Sequence, residues 1–362
     1  MVAPDIWAVS PAARFYETYS VTHVGAIVDA LARRAEFPFE LTYLGGGSEL
    51  WRATEGRSAT PAARARRDAV DALPERHADQ VMALVPPAAP VQVVDLGPGT
   101  ARPILGLLRH LLDRSRLAGY RAIDISPEML GLARQGLRAC FPGHADGFEL
   151  HCGDFAGPDL DRVLTGDRGP VRLVVLAGGT LHNLADPDGL LRRLGRAMSA
   201  DDLLLLTLRL DNGVDRPPFM EQVGVDHPVP PQQLSGMEML NVDRSWYQTE
   251  TGYDRDRSEV FIRARFLRPV AVVFDVGGAG RTVSFATGDT VVLFRQRHLD
   301  RHGVVDELAR NGFDVRVFEP ALDGQVALVA GQPARRSSTS SRRSAGRASA
   351  SSSLASDPWS NM

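Results

Sequence analysis

Val93-Val94-Asp95-Leu96-Gly97-Pro98-Gly99-Thr100 decides the fold class. An apolar run enters a glycine turn, and the turn opens a helix. Gly97 and Gly99 permit backbone dihedrals, and a close approach of a ligand, that a side chain forbids. The helix that follows offers free N–H groups at its start. Alone, the stretch also suits a tight strand-to-helix turn that binds nothing.

Two further stations follow in order. The next strand, in Tyr120-Arg-Ala-Ile-Asp-Ile-Ser-Pro, ends at Asp124. A carboxylate there suits both hydroxyls of a ribose, and it equally suits a helix start before Pro127. The third strand ends in Leu150-His-Cys-Gly-Asp154-Phe155. An acid followed by a flat apolar ring suits adenine: the carboxylate accepts from the exocyclic amine and the ring packs on the base. All three stations lie at carboxyl ends of expected parallel strands, where doubly wound folds bind ligands. A nicotinamide-dinucleotide domain expects a third small residue three positions after Gly99, where Arg102 stands. It also has no need of the Gly153-Asp154-Phe155 station. S-adenosylmethionine (SAM) fits better, with its methionine part at the glycine turn.

Around these stations the chain alternates strand and helix. Apolar runs at Val91–Leu96, Tyr120–Ile125, Phe148–Cys152, Val171–Leu176 and Leu203–Leu208 read as buried parallel strands. Helices are expected near 102–117, 127–140 and 187–198. The organisation that follows is a helical cap over 1–88, a SAM-binding Rossmann-like core over 89–212, and an inserted α+β substrate-binding region over 213–285. Residues 286–332 complete the core, and a Ser/Arg-rich tail over 333–362 is expected to be disordered. Within the cap, Val21–Arg34 and Ala62–Leu84 have helical spacing, and Gly45, Gly46 and Gly47 mark a turn. Strands are expected at Ser258–Leu267, Val270–Val276 and Val291–Arg295, and after the helix at 302–311.

Composition removes several function classes. All 41 basic residues are Arg, so Schiff-base and Walker-lysine chemistry is excluded. The net charge of −3 suggests neither a nucleic-acid nor an anionic-membrane partner. No apolar run is long enough to span a membrane, and the N-terminus lacks a secretory pattern, so a cytoplasmic location is expected. Cys140 and Cys152 are the only cysteines, too few for a disulfide framework or a four-thiolate metal site. His298 and His302 are four residues apart without an acid at metal spacing, so no metal is expected.

Leu173-Val-Val-Leu-Ala-Gly178-Gly179-Thr180-Leu181-His182-Asn183-Leu184 resembles a signature of the histidine-specific methyltransferase family, and Gly47-Ser48-Glu49-Leu50-Trp51 is similar to that family's G-S-E-L-F segment. The resemblance covers roughly 40–330 and is best over 91–212. It implies a class I methyltransferase in which Gly97, Gly99, Asp124, Asp154 and Phe155 bind SAM and Gly178, Gly179 and Thr180 line its sulfonium. Asn183 matches the asparagine that holds the substrate's amino-acid end; a helix cap is the competing role. Two departures stand out. The family's Y-Y-P-T-R region falls on Ala59-Thr60-Pro61-Ala62-Ala63, and the Glu and Ser that read the imidazole fall near Phe294 and Gln296. The expected acceptor is therefore another amino acid, or an amine- or hydroxyl-bearing small molecule, with N-methylation favoured.

His182 is the expected general base, since it follows the fourth strand and titrates near neutrality. Tyr43, Trp246 and Tyr247, with Tyr253, form an expected aromatic wall for the substrate; core packing is the alternative for each. A NAD-linked oxidoreductase and a catalytically silent SAM-binding protein are the competing functions.

Overall fold

The structure, a computed structural model, describes residues 6–57, 61–164, 169–213 and 229–334. In chain order its strands are β1 (Trp7–Val9), β2 (Val91–Leu96), β3 (Leu117–Asp124), β4 (Glu149–Cys152), β5 (Val171–Leu176), β6 (Leu203–Arg209), β7 (Tyr247–Asp254), β8 (Glu259–Phe266), β9 (Val270–Val276), β10 (Ala279–Phe285), β11 (Thr290–Arg297), β12 (Phe313–Ala321) and β13 (Val326–Pro333).

Seven of them form one sheet in the order β12-β13-β6-β5-β2-β3-β4. Strands β2 to β6 are parallel, β13 runs against β6, and β12 runs against β13. The chain moves outward from β2 through β3 to β4, then crosses back to β5 on the other side of β2. That reversal leaves a crevice beyond the carboxyl ends of β2 and β5, the ligand position of a doubly wound sheet. This is a Rossmann-like, doubly wound sheet closed at one edge by an antiparallel pair. The inner strands are mostly apolar because helices cover both faces. One face packs Leu107, Leu111, Ala133 and Leu137; the other packs Leu190, Leu194, Val304 and Leu308. Ser126 and Asp186 cap their helices, accepting from Met129 N at 3.2 Å and Gly189 N at 2.8 Å.

A second lobe has its own core, with Phe15, Ile27, Phe37, Phe266 and Phe274 buried in it. It holds two three-stranded sheets, β1-β9-β10 and β11-β8-β7. The expected boundary at 285 therefore moves. β11 pairs with β8 and not with the core sheet, so the inserted region runs on to Arg297. The cap over 1–88 also divides. β1 and the helix Val21–Arg34 join the second lobe, whereas Leu73, Val81 and Val85 pack on the main sheet. Three expected elements differ in detail. The helix at 102–117 stops at Asp113, because Leu117 already starts β3. The stretch 62–84 breaks into Pro61–Asp71, Leu73–Arg76 and Ala78–Met82, with Pro74 opening the short middle turn. The glycine turn forms at Gly45 and Gly46, at φ +60 and +93, but Gly47 already starts a helix, Gly47–Arg57, and a 3-10 helix, Phe39–Tyr43, precedes the turn. The tail beyond residue 334 and the proline-rich stretch 214–228 lie outside the described residues.

Candidate active site

The loops after β2, β4 and β5 meet. Gly97 has φ +72, and a Cβ there would sit 3.3 Å from Phe155 Cε1 and 3.4 Å from Thr180 Cγ2. Gly99 has φ +57, and its nearest neighbour would be Met129 Cε at 3.6 Å. The β3 loop joins through Asp124, whose carboxylate accepts from Ser126 N at 2.9 Å and from the amides of Gly99 and Ile125. Burial pushes Asp124 up to about 6 while those amides pull it down. Arg102 does not enter the crevice. Its guanidinium turns away to Asp68 at 2.7 Å and Asp71 at 3.0 Å.

Beneath the glycine turn lies a group that motif reading passed over. Asp95 is buried in β2 and accepts from Tyr120 Oη at 2.9 Å. Burial pushes it up to about 7, the tyrosine hydrogen bond opposes this, and the Asp124 charge adds to it. A lone acid inside Val-Val-Asp-Leu was the available signal.

Asp154 faces its own loop, with Oδ1 accepting from Ala156 N at 2.7 Å. Burial raises it, with a smaller opposing pull from Arg193, which donates to Gly157 O at 2.6 Å and so pins the loop. On the β5 side, Gly178 has φ +74 with open space where a Cβ would stand. At Gly179, φ +80, a Cβ would meet Gln296 Nε2 at 3.1 Å. Thr180 turns its hydroxyl back onto Ala177 O at 2.8 Å, leaving its methyl beside Gly97. Asn183 Oδ1 is buried and has no hydrogen-bond partner among the described residues. It is not the helix cap, since Asp186 fills that role.

The second lobe roofs this crevice. Ser48 Oγ lies 2.8 Å from Ser126 Oγ and donates to Tyr43 O at 2.8 Å, tying the Gly-Ser-Glu-Leu segment and Tyr43 to the β3 loop. Phe39 packs edge-on against Tyr43 and against Phe294, with ring centroids 5.5 and 5.0 Å apart. β11 in turn packs on the 3-10 helix Thr180–Asn183. So Phe294 and Gln296, the positions of the missing imidazole readers, line the side of the crevice facing Gly179.

Three expectations for individual residues are corrected. His182 is 1% exposed, and its Nε2 lies 2.8 Å from Oε2 of the fully buried Glu307. Glu307 Oε1 accepts from Arg297 at 2.8 Å. The histidine thus ties the β5 loop to the helix Arg301–Arg310, and a ring enclosed this way cannot reach an acceptor. Trp246 packs against Trp7 at 5.3 Å, with the rings tilted by 55° and the Arg268 guanidinium over both, and Tyr247 is buried in the second-lobe core. Both lie at the far end of β7 from Tyr253, whose Oη donates to Asp211 at 3.2 Å beyond the end of β6. Six residues of strand separate Tyr247 from Tyr253, about 20 Å. Aromatic type singled them out; lobe packing explains them. His298 follows β11 and lies outside the helix Arg301–Arg310 that carries His302.

The sequence model of a family described as "Histidine-specific methyltransferase, SAM-dependent" matches residues 25–216. No curated protein matches the sequence. Among solved structures, an S-adenosylmethionine-dependent methyltransferase from Clostridium acetobutylicum is 13% identical, covering 74% of this chain and 92% of its own at a TM-score of 0.42. The CcbJ methyltransferase from Streptomyces caelestis is 14% identical, with 72% and 95% covered at 0.40. CalS10, an amino pentose methyltransferase from Micromonospora echinaspora, is 17% identical, with 76% and 97% covered at 0.41. No described helix is long and apolar enough to cross a membrane.

Proposed function

The chain belongs to the histidine-specific, SAM-dependent methyltransferase family, and from that premise we propose that it N-methylates a small amine-bearing molecule other than histidine. Within that reading, Gly97, Gly99, Asp124, Asp154 and Phe155 hold the cofactor, and Gly178, Gly179 and Thr180 flank its sulfonium. What supports this assignment is the cradle itself. Gly97 and Gly179 sit where a Cβ would crowd facing groups, and Gly178 borders open space. When bound, SAM supplies a methyl group already activated on a positively charged sulfur.

This chain's residues then need only align the acceptor and exclude water. The single observation that carries the amine reading is the orphaned Asn183 Oδ1, a buried acceptor at the tip of the β5 loop. A buried carbonyl oxygen without a partner costs about 1–3 kcal/mol, and an ammonium of the substrate would satisfy it. The exclusion of histidine rests on Phe294 and Gln296, which carry no acid for an imidazole. The test is transfer of labelled methyl from SAM to a panel of amino acids, amino sugars and arylalkylamines, each paired with its hydroxyl analogue. The expected products are N-methylated, with histidine a poor acceptor. Transfer only to hydroxyl analogues overturns the amine reading.

A further inference from the structure

We propose that a cleft on the far side of β11 from the methyl-transfer crevice is a second ligand site, built for a phosphate-bearing anion.

The cleft has a volume of about 490 Å³, within the range of small-ligand sites, and Arg257, Arg295, Arg297 and Arg310 line it. These arginines come from three places. Arg257 stands in the turn between β7 and β8, Arg295 and Arg297 on β11, and Arg310 at the end of the helix Arg301–Arg310. Successive side chains of a strand point to opposite faces. Gln296 faces Gly179 and Phe294 meets Phe39, so Arg295 and Arg297 project from the other face of β11. The two sites therefore stand back to back across one strand.

Three acids share the lining with the four arginines: Glu259, Asp306 and Glu307. Two of them are buried and already spent. Glu307 is 0% exposed; one oxygen accepts from Arg297 at 2.8 Å and the other meets His182. Glu259 is 6% exposed and lies 3.5 Å from Arg295 Nη1, while Arg295 Nη2 donates to Glu36 at 2.9 Å. These contacts hold Arg295 and Arg297 in place as the floor of the cleft. The other two arginines form an exposed rim with little to hold. Arg257 reaches Asp254 only at 3.8 Å, beyond hydrogen-bond distance, and Arg310 has no ion pair among the described residues. Asp306, exposed and one helical turn before Arg310, reduces the positive excess without cancelling it.

Like charges gathered around one cleft repel, and an anion relieves that repulsion. Guanidiniums are planar forks that donate two parallel hydrogen bonds to an oxyanion. A carboxylate spreads its oxygens in one plane. A phosphate presents oxygens in three directions, which matches arginines arriving from three elements.

The test is calorimetric titration of the full chain with inorganic phosphate and with succinate at pH 8, where both are dianions, in about 0.15 M salt to screen diffuse attraction. Phosphate should saturate one site and bind more tightly than succinate. The double variant Arg257→Gln/Arg310→Gln should weaken phosphate binding at least about tenfold. The charge-matched control Arg281→Gln/Arg316→Gln, which removes two exposed arginines elsewhere, should change it less than about twofold. Asp306→Asn should tighten it, by about threefold. Absent phosphate binding, succinate binding as tightly, equal losses in the two double variants, or weaker binding in Asp306→Asn overturns the proposal. So does displacement of phosphate by saturating S-adenosylhomocysteine (SAH), which would place the anion at the glycine turn. A chain that transfers no methyl group still gives the phosphate readouts, so the two readings fail separately.

Discussion

The two sides of the crevice differ in how their polar groups are used. On the core-sheet side every key group is committed before a ligand arrives: Asp124 holds three amides, Asp95 holds Tyr120, and Asp154 holds its own loop. On the side of the second lobe and the β5 loop, groups stand idle: among the described residues, His23 Nδ1 and Asn183 Oδ1 have no hydrogen-bond partner. The contrast teaches a division of labour. A preorganised floor suits a cofactor of fixed shape, and an uncommitted roof suits a second molecule whose charge completes it.

The largest expected effect removes the strut between the two sides. Glu307→Ala leaves His182 and Arg297 without their shared carboxylate, and loss of a buried pair costs about 3–5 kcal/mol. Chemical denaturation should read that loss. A change under about 1 kcal/mol would mean that the strut is not structural, and would return His182 to consideration as a base.

The next prediction breaks the floor alone. Gly97→Val adds branched carbons at φ +72, against Phe155 and Thr180. SAH affinity should fall about 100-fold, or about 2.8 kcal/mol, by calorimetry. Unchanged affinity in a folded variant would show that no ligand approaches this turn.

A pH series sharpens the contrast. Asp124 is pushed up to about 6 and must be anionic to accept from ribose hydroxyls. SAH affinity should therefore weaken as pH falls through about 6, approaching tenfold per unit below it, and Asp124→Asn should flatten the curve. Stability has the opposite sign. The folded pKa values of Asp95 and Asp124 lie above the unfolded value of about 3.9, so stability is highest below about pH 4 on their account and declines as pH rises through about 6 to 7. Denaturation midpoints of Asp95→Asn against the wild type over that window would reveal it.

The smallest effect is expected at Trp246. Its ring packs against Trp7 and Arg268 outside the crevice, so Trp246→Ala should change SAH affinity less than about twofold while loosening the lobe. A large loss of affinity would mean that the far end of β7 reaches the crevice.

The floor was legible in the sequence because each of its strands is apolar and ends in a residue with a physical reason to be there. Gly97, Asp124, Phe155 and Thr180 meet as their order along the chain implied. The second lobe was less legible. Its sheets join residues far apart in the chain, as where Trp7 pairs with Val270, and no local periodicity encodes such a pairing. β7 and β10 escaped because their exposed faces leave few buried apolar residues, Val283 and Phe285 in β10. His182, Trp246 and Tyr247 were singled out by residue type, and type does not distinguish a wall from a core.

Calorimetric titration of the wild-type protein with SAH and, separately, with NAD tests the central claim most directly, that three strand tips hold one sulfonium nucleotide. One SAH per chain and no heat with NAD is the predicted result. Saturable binding of NAD with none of SAH would contradict it.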